Sequence, residues 1–444
     1  MARRRQHNRR PAVDLAPVTA EVERLSHEGR GVARVDGKIV FIDGALPGEE
    51  VRFRYDRRYG QYDEATVLEV LRASPDRITP QCAHAGRCGG CSLQHLGIEA
   101  QIAHKQAVLL ELLSHQADLA PSRVLPPVTG PQWAYRRRAR LSARYVHKKE
   151  EVLIGFREKA SHYIADITRC ETLVAEVGTR LPELRALLSS LSCAGDMPQV
   201  EVAAGDDEVV LIVRHLVPLS ADDLERLRAF ELATGLRLYT QAGSLETAQP
   251  LTGPATPLRY RVDGLELQFQ PGDFVQVNAT INATVVPLAL DLLAPGPADT
   301  VLDLFCGLGN FTLPLARRAG TVVGVEGEAG LVARAADNAA RLGLANAAFV
   351  TANLFTPAGI AAIPSHRYTR LLLDPPRSGA AEVLEAFDFR RIERVCYVSC
   401  NPVTLARDAA TLTKQHRYVL EAVGVLDMFP QTTHVESIAL FSRR

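Results

Sequence analysis

No apolar run in this chain approaches the ~18 residues that a bilayer crossing needs, which excludes a helical membrane protein. The first ten residues carry five Arg and no apolar stretch, so the core of a secretory signal is missing. An organellar transit peptide is one reading of such a start. A solvated or RNA-touching basic arm over residues 1–13 fits it better, and the expected location is the cytoplasm. Internal repeats are lacking and there is one Trp; the composition, 47% hydrophobic and 23% charged, is ordinary for a globular chain. A chain of 444 residues is long enough for about two to four domains.

Net charge is absent too, with 51 Lys and Arg against 51 Asp and Glu. The balance hides an asymmetry. Residues 1–150 hold 25 basic and 17 acidic side chains, and residues 151–444 hold 26 and 34. A basic front half is suited to meeting a polyanion. The eight Cys are also unevenly spread, with Cys82, Cys88 and Cys91 inside ten residues and Cys170, Cys193, Cys306, Cys396 and Cys400 scattered beyond. Without a signal peptide, that clustering argues for a metal or cofactor rather than disulfides.

Residues 14–72 read as five short strands, Thr19–Leu25, Val32–Val35, Lys38–Phe41, Glu50–Tyr55 and Ala65–Leu71, with Asp36-Gly37 as a hairpin turn. Such spacing suggests a small OB-like barrel, a fold that often holds nucleic acid. A Cys/Gly loop at 82–95 leads into a helix over about Glu99–Ala117. Strand-like runs at Ala139–Tyr145, Val152–Arg157, Gln199–Ala203 and Val209–Val213, with a helix near 171–192, make residues 73–269 a mixed α/β middle. From 270 to 444 short apolar strands (Val301–Phe305, Thr321–Val325, Ala348–Thr351, Arg370–Leu373, Val395–Ser399) alternate with helices such as Leu331–Leu342. The alternation predicts a doubly wound parallel sheet with its ligand at the carboxyl ends of the strands. The fold class is therefore multidomain α/β.

The first of these strands runs into Phe305-Cys306-Gly307-Leu308-Gly309-Asn310. Two glycines let the backbone turn tightly against a ligand, yet Thr312 stands where a dinucleotide fold wants a third glycine. A smaller adenosyl ligand follows. Glu326, 23 residues beyond Asp303 at the end of the next strand, is placed to accept both ribose hydroxyls. Asn353, after the third strand, is placed to meet the adenine.

The fourth strand ends in Asp374-Pro375-Pro376-Arg377, where two prolines hold a rigid turn and present Asp374. The fifth ends in Cys400-Asn401-Pro402, with Cys400 at the exit and Cys396 inside the strand. These motifs, with Gln270-Pro271-Gly272-Asp273-Phe274-Val275-Gln276-Val277-Asn278 and His434-Val435-Glu436, resemble the RNA uridine-C5 methyltransferase family. The Cys82/Cys88/Cys91 loop and the barrel, similar to a TRAM domain, point within it to the branch acting on large-subunit (23S) ribosomal RNA. The resemblance covers residues 14–444 and implies a C-terminal Rossmann-like domain that uses S-adenosylmethionine. It implies Cys400 as the nucleophile that adds to uracil C6 and Glu436 as the base that removes the C5 proton. Gln276, Phe305, Asn310, Glu326, Asn353 and Asp374 would line the cofactor and the uracil. A stacked base cannot reach such a thiol, so the target is flipped or already in a loop.

Four thiolates, Cys82, Cys88, Cys91 and Cys170, fit either zinc or an iron–sulfur cluster by residue type. His84 and His95 are alternative zinc ligands. The resemblance implies a [4Fe-4S] cluster with a structural role. The run Trp133, Tyr135, Arg136, Arg137, Arg138, Arg140, Arg144 and Tyr145 pairs bidentate phosphate binders with stacking faces, as an RNA platform would. The expected partner is structured RNA, 23S rRNA by resemblance, with no membrane and no protein partner implied. Rivals are an enzyme acting on tRNA or a different rRNA uridine, a cytosine-C5 methyltransferase, a radical enzyme, whose C-x3-C-x2-C loop differs from the five-residue first gap here, and a non-catalytic RNA-binding or assembly factor.

Overall fold

The computed structural model describes residues 16–244 and 247–444; the basic arm expected at 1–13 lies outside the described residues. The chain divides into two compact units. One holds residues up to Gly86 with Cys91–His104 and Gln431–Thr433, and the other holds Arg87–Gly90, Lys105–Pro430 and His434–Arg444.

The first unit is built on six strands: β1 (Val18–Glu21), β2 (Arg24–Leu25), β3 (Gly31–Val35), β4 (Lys38–Asp43), β5 (Glu50–Arg58) and β6 (Tyr62–Arg72), in the order β1-β5-β6-β4-β3-β2. Alternation along them buries Val40, Ile42, Val51 and Phe53 on one side. Asp36 and Gly37 both take positive φ, 51° and 80°, the geometry that suits a tight hairpin between twisted strands. The single strand expected at 19–25 is broken. The Val22 and Glu23 N–H groups leave the ladder for the carbonyls of Glu49 and Val32. Glu49 is fully buried and saturated: it accepts from Leu46 N (2.8 Å), Ser74 N (3.2 Å) and Arg77 Nε (2.5 Å) and Nη2 (2.7 Å). Arg77 also donates to the Gly44 carbonyl. One carboxylate thus ties the β4–β5 turn to the chain leaving β6.

The second unit opens on helix α1 (Ile98–Leu112), which starts in the first, and tightens into a π-turn at Leu113–Ala117. After the short strand β7 (Arg123–Val124) comes a mixed layer: β8 (Arg138–Val146), β9 (Glu151–Gly155), β10 (Gln199–Ala204), β11 (Val209–Arg214), β12 (Arg237–Gln241) and β13 (Gln249–Pro250). Helices α2 (Ala175–Gly178), α3 (Leu181–Ser190) and α4 (Ala221–Thr234) accompany it. Two helices replace the one expected near 171–192, because Pro182 sits in the first turn of α3, where its missing N–H is harmless. A capping box, Ser220 with Asp223, starts α4.

A hairpin, β14 (Leu258–Val262) and β15 (Leu265–Phe269), then leads into α5 (Ala279–Leu293). The last layer contains β16 (Thr300–Leu304), α6 (Thr312–Ala316), β17 (Thr321–Glu326), α7 (Ala329–Arg341), β18 (Ala347–Thr351), α8 (Pro357–Ala361), β19 (Arg370–Leu373), α9 (Ala381–Ala386), β20 (Arg394–Ser399), α10 (Pro402–Lys414), β21 (Tyr418–Leu426) and β22 (Glu436–Arg443). Its eight strands run β18-β17-β16-β19-β20-β22-β21-β7. Strands β16 to β20 pair in parallel, as the alternation predicts. The sheet as a whole is mixed. β22 lies antiparallel between β20 and β21, because a short turn, 427–435, joins β21 to β22 and a short connection permits only an antiparallel return.

Replacing Glu49 by Ala leaves two buried backbone N–H groups without their acceptor and the half-buried Arg77 with its Gly44 carbonyl but no carboxylate. The expected loss is about 3–5 kcal/mol in the first unit, read as faster amide exchange of β3–β6 with that of β16–β20 unchanged. Equal protection of β3–β6 in both proteins refutes the latch.

Candidate active site

Every functional side chain of the second unit's sheet comes from a strand end. After β16 the chain turns through Phe305, Gly307 and Gly309, all at positive φ (64°, 56° and 93°). Phe305 is not a glycine and bears strain there. A Cβ on Gly309 would lie 3.0 Å from the Leu313 side chain, so glycine lets α6 pack close to the loop. Glu326, at the end of β17, accepts from Gly307 N (3.1 Å), Gly327 N (2.6 Å) and Glu328 N (3.1 Å). Asn310 exchanges two 2.9 Å hydrogen bonds with the Asn282 amide and receives one from the Tyr260 hydroxyl at 3.0 Å. Its orientation is therefore preset.

One cavity of about 470 Å³ joins this loop to the reaction end. It gathers Gln276, Phe305, Asn310, Glu326, Asp374, Cys400 and Glu436, with Arg377, Phe274 and Phe355 beside them. Asn353 is not among its lining residues. Its side chain instead accepts from Phe355 N (3.0 Å) and its carbonyl from the Thr356 hydroxyl (3.0 Å), which holds the turn that presents Phe355. Phe355 and Phe305 lie 5.7 Å apart, centroid to centroid. The sequence reading missed Phe355, Arg377 and the buried Asp303. An aromatic two residues past a strand-end Asn was the available signal for Phe355. Arg377 stands in the Asp374-Pro375-Pro376-Arg377 motif without a role being read from it, and nothing local marks the burial of Asp303.

At the reaction end, Cys400 leaves β20 just before α10, whose N-cap Asn401 accepts from Val403 N and donates to the Arg377 carbonyl at 2.9 Å. Gln276 Nε2 reaches Asp374 at 3.5 Å. Burial pushes the Asp374 carboxyl up to about 7. It pushes Glu436 up to about 8, aided by Asp374 and opposed by Lys105 and Arg377. Asp303, whose carboxylate accepts from the Thr312 hydroxyl at 2.5 Å, rises to about 8 by burial and by the charges of Asp374 and Glu326. Cys400 goes up to about 11 through burial and then through Glu436 and Asp374, with Arg377 pulling the other way. The carboxyl groups of the cavity wall therefore disfavour further negative charge and favour a cation. A sulfonium is such a ligand.

His434 is held down to about 4 by burial and by Arg377, and so accepts from Arg377 as a neutral ring (Nη2 to Nδ1, 2.6 Å). Much of the basic and aromatic run is internal. The buried Tyr135 donates to the Pro430 carbonyl at 2.9 Å, Arg136 lies over Phe429 and Phe156, and Arg137 pairs with Asp206 at 2.6 Å. Arg138 donates to the Gly272 carbonyl at 2.8 Å and so fixes the loop carrying Gln276. Only Arg140 and Arg144 of its arginines are exposed.

Among the described residues no group of three or more His, Cys, Asp or Glu is gathered to hold a metal ion. Cys82 and Cys91 belong to the first unit, and Cys88 and Cys170 to the second. All four are partly exposed, unlike the buried Cys193, Cys306 and Cys396. No helix is long and apolar enough to cross a membrane.

A parallel β16–β20 core with a glycine loop and an acidic second strand end belongs to a S-adenosylmethionine-dependent methyltransferase. The family model described as tRNA (uracil-5-)-methyltransferase matches residues 258–444, and that of the TRAM domain matches residues 17–68. The 23S rRNA (uracil(1939)-C(5))-methyltransferase RlmD of Stenotrophomonas maltophilia (strain K279a) is 49% identical over 440 residues, 98% of this chain and 99% of that one. The protein of the same name from Alkalilimnicola ehrlichii is 50% identical over 446 residues, 100% of this chain and 99% of its own. The crystal structure of Pyrococcus abyssi tRNA (uracil-54, C5)-methyltransferase with S-adenosyl-L-homocysteine shares the fold, at TM-score 0.73 and 22% identity over 95% of this chain and 99% of that one. The chain belongs to the RNA uracil-C5 methyltransferase family, in the branch that its bacterial relatives represent.

Two carboxylates hold the Cys400 thiol up, and each is already ionised where the thiol titrates. Removing one should therefore lower the thiol pKa. At pH 9, iodoacetamide should alkylate Cys400 about three- to ten-fold faster in Glu436→Gln than in wild type, and more slowly in Arg377→Met. Peptide mass spectrometry reads this directly; equal rates in all three proteins would contradict the shared field.

Proposed function

We propose that this enzyme methylates C5 of one uridine in 23S ribosomal RNA, in the cytoplasm, through a covalent Cys400–C6 adduct. The observation that carries this reading is that Cys400, Asp374 and Glu436 share a single cavity with Glu326 and the glycine loop. In this reading the chain works as a basic arm (1–13), a TRAM-like barrel (14–72), an RNA-binding middle (73–269) and a catalytic domain (270–444).

S-adenosylmethionine supplies the methyl group as an electrophilic sulfonium. Glu326 orients the ribose, the Phe305–Phe355 side takes the adenine with Asn353 shaping it, and Asn310 and Gln276 close the approach to the reaction end. Cys400, at the N-terminus of a 13-residue helix that favours its thiolate, attacks uracil C6. The C5=C6 electron pair moves toward C5 and O4, C5 takes the methyl group, and the donor leaves as a neutral thioether. Glu436 then accepts the proton on C5, the C5=C6 bond re-forms and the S–C6 bond breaks. Asp374 and Gln276 hold the uracil edge. A bound sulfonium would favour the ionised form of the carboxyl groups that burial raises, and Glu436 would take up the C5 proton after methyl transfer has removed that charge.

Cys82, Cys88, Cys91 and Cys170 would hold a [4Fe-4S] cluster of structural role. The donor set is the support: four partly exposed thiols, of a type that binds iron–sulfur clusters. The surroundings of two of them are closely shaped. A Cβ on Gly89 would lie 2.9 Å from the Arg157 carbonyl, and one on Gly178 would overlap the Cys170 carbonyl at 2.2 Å.

With 23S rRNA and S-adenosylmethionine, Glu436→Gln should lose about 10²–10⁴ in turnover. It should accumulate a denaturant-stable protein–RNA band carrying the cofactor's methyl label. Cys400→Ala and the double variant should give none, and sequencing the trapped RNA identifies the uridine. A Glu436→Gln enzyme that turns over normally assigns the base elsewhere, and a band formed with tRNA but not with 23S rRNA overturns the substrate.

Protein purified without oxygen should be brown, with iron and acid-labile sulfide in near-equal amounts, and Cys91→Ala should bleach it. Stoichiometric zinc in colourless protein contradicts the cluster.

A further inference from the structure

Lys105 is a fully buried lysine on α1 that the mechanism above does not use. Its Nζ donates to Asp427 Oδ1 at 2.6 Å and to the Phe429 carbonyl at 3.0 Å, and Asp427 is as deeply buried. Both partners belong to the turn that leaves β21 and feeds β22. Leu426, the residue before Asp427, is the register partner of Glu436, the first residue of β22. The lysine is therefore clamped onto the chain one residue from the position opposite the proposed base. The clamp has company: Asp427 N donates to the Val128 carbonyl, Tyr135 holds Pro430, and Arg136 covers Phe429.

We infer that Lys105 is a positioning residue for the proton-removal step: its ammonium pins the Asp427–Phe429 turn that sets Glu436 in place, and supplies a fixed positive charge behind that carboxylate. The inference rests on the reading of Glu436 as the base. A lysine is costly to bury; a hydrophobic side chain of similar length would fill the same space without that cost, so packing alone does not explain a cation here.

The charged and titratable groups around Glu436 define what Lys105 contributes. Asp374 faces it from the end of β19, Arg377 from the turn beyond, and Cys400 from the end of β20. Lys105 and its partner Asp427 lie on the α1 and β21 side, and His434 precedes it on its own segment, as a neutral ring. Asp374 opposes ionisation of Glu436, while Lys105 and Arg377 favour it. Arg377 lies in the cavity with the reactants, whereas Lys105 is sealed from it. Burial lowers the Lys105 ammonium below its ordinary value, and Asp427 and then Glu436 oppose that shift. Removing the lysine charge should raise the Glu436 carboxyl further. The base form then appears at higher pH, and the acid limb of proton removal moves up.

The test is a rapid-quench pH series, from pH 6 to 9, with full-length protein, S-adenosylmethionine and a 23S rRNA transcript. It times formation of the methylated Cys400–RNA adduct and its resolution separately. Lys105→Met should form the adduct at close to the wild-type rate but resolve it about ten-fold more slowly at pH 7, with recovery as pH rises. Lys105→Gln, which keeps donors for Asp427 and Phe429 but not the charge, should show the same displaced limb and decides the matter if Lys105→Met fails to fold. Lys105→Arg should restore the wild-type limb. A limb that coincides with wild type in the Met and Gln variants overturns the inference, and so does a loss equal at every pH, which a packing defect gives. If Glu436→Gln resolves its adduct at the wild-type rate, the base reading fails first and the inference falls with it.

Discussion

Ser399 and Ser437 face one another across the β20–β22 ladder, and that pairing decides what the rest of the site can be. β20 runs toward the ligand edge and ends there. Because β22 is antiparallel to it, β22 begins at that same edge, and its first residue, Glu436, arrives where Cys400 departs. A parallel strand in the same slot would carry its first residue to the opposite end of the sheet, a full strand length away. Asp374, at the end of the neighbouring parallel β19, completes the group. Three chemical groups from segments 26 and 36 residues apart in sequence thus meet through strand direction alone.

That convergence has an electrostatic consequence. Asp374 raises both Asp303 and Glu436, which are buried, and among the described residues none of the three carboxylates takes part in a salt bridge. Such a group of acids is held towards its neutral form by burial, and a cation beside it favours ionisation. An adenosyl ligand with a sulfonium therefore suits this site for the same reason that a pyrophosphate would not. Burial and the acids at the reaction end also raise the Cys400 thiol, against the pull of Arg377.

The remainder of the unit works as scaffolding for that edge. Side chains that look suited to RNA turn inward: Arg138 fixes the Gly272 loop, and Arg334 pairs with Asp273 in the same loop. Tyr135 and Arg136 brace the Phe429–Pro430 turn that leads to Glu436. Of the run's arginines, Arg140 and Arg144 are the exposed ones, and Arg140 pairs with Glu201 at 3.1 Å. A run of basic residues is therefore a poor guide to a binding face on its own, since a guanidinium also serves as a five-donor internal clamp.

Local pattern was enough for the alternation of β16 to β20 with helices, for the glycine loop, and for Cys400, Asp374 and Glu326 at strand ends. Each depends on residues adjacent in the chain: strand periodicity, positive-φ glycines, prolines that stop a strand. The Asp36-Gly37 turn was legible for the same reason. Glu436 was reached only through a family resemblance, because its own surroundings, His434-Val435-Glu436, state nothing about the residue across the sheet. Strand direction, the substitution of Phe355 for Asn353 in the cavity wall, the burial of Asp303 and the inward turn of the arginine run were decided by tertiary structure. So was the clamp of Lys105 on Asp427, 322 residues away. Periodicity tells which face of an element is buried, whereas these features depend on which other element arrives there and in which direction. Only the folded chain settles that.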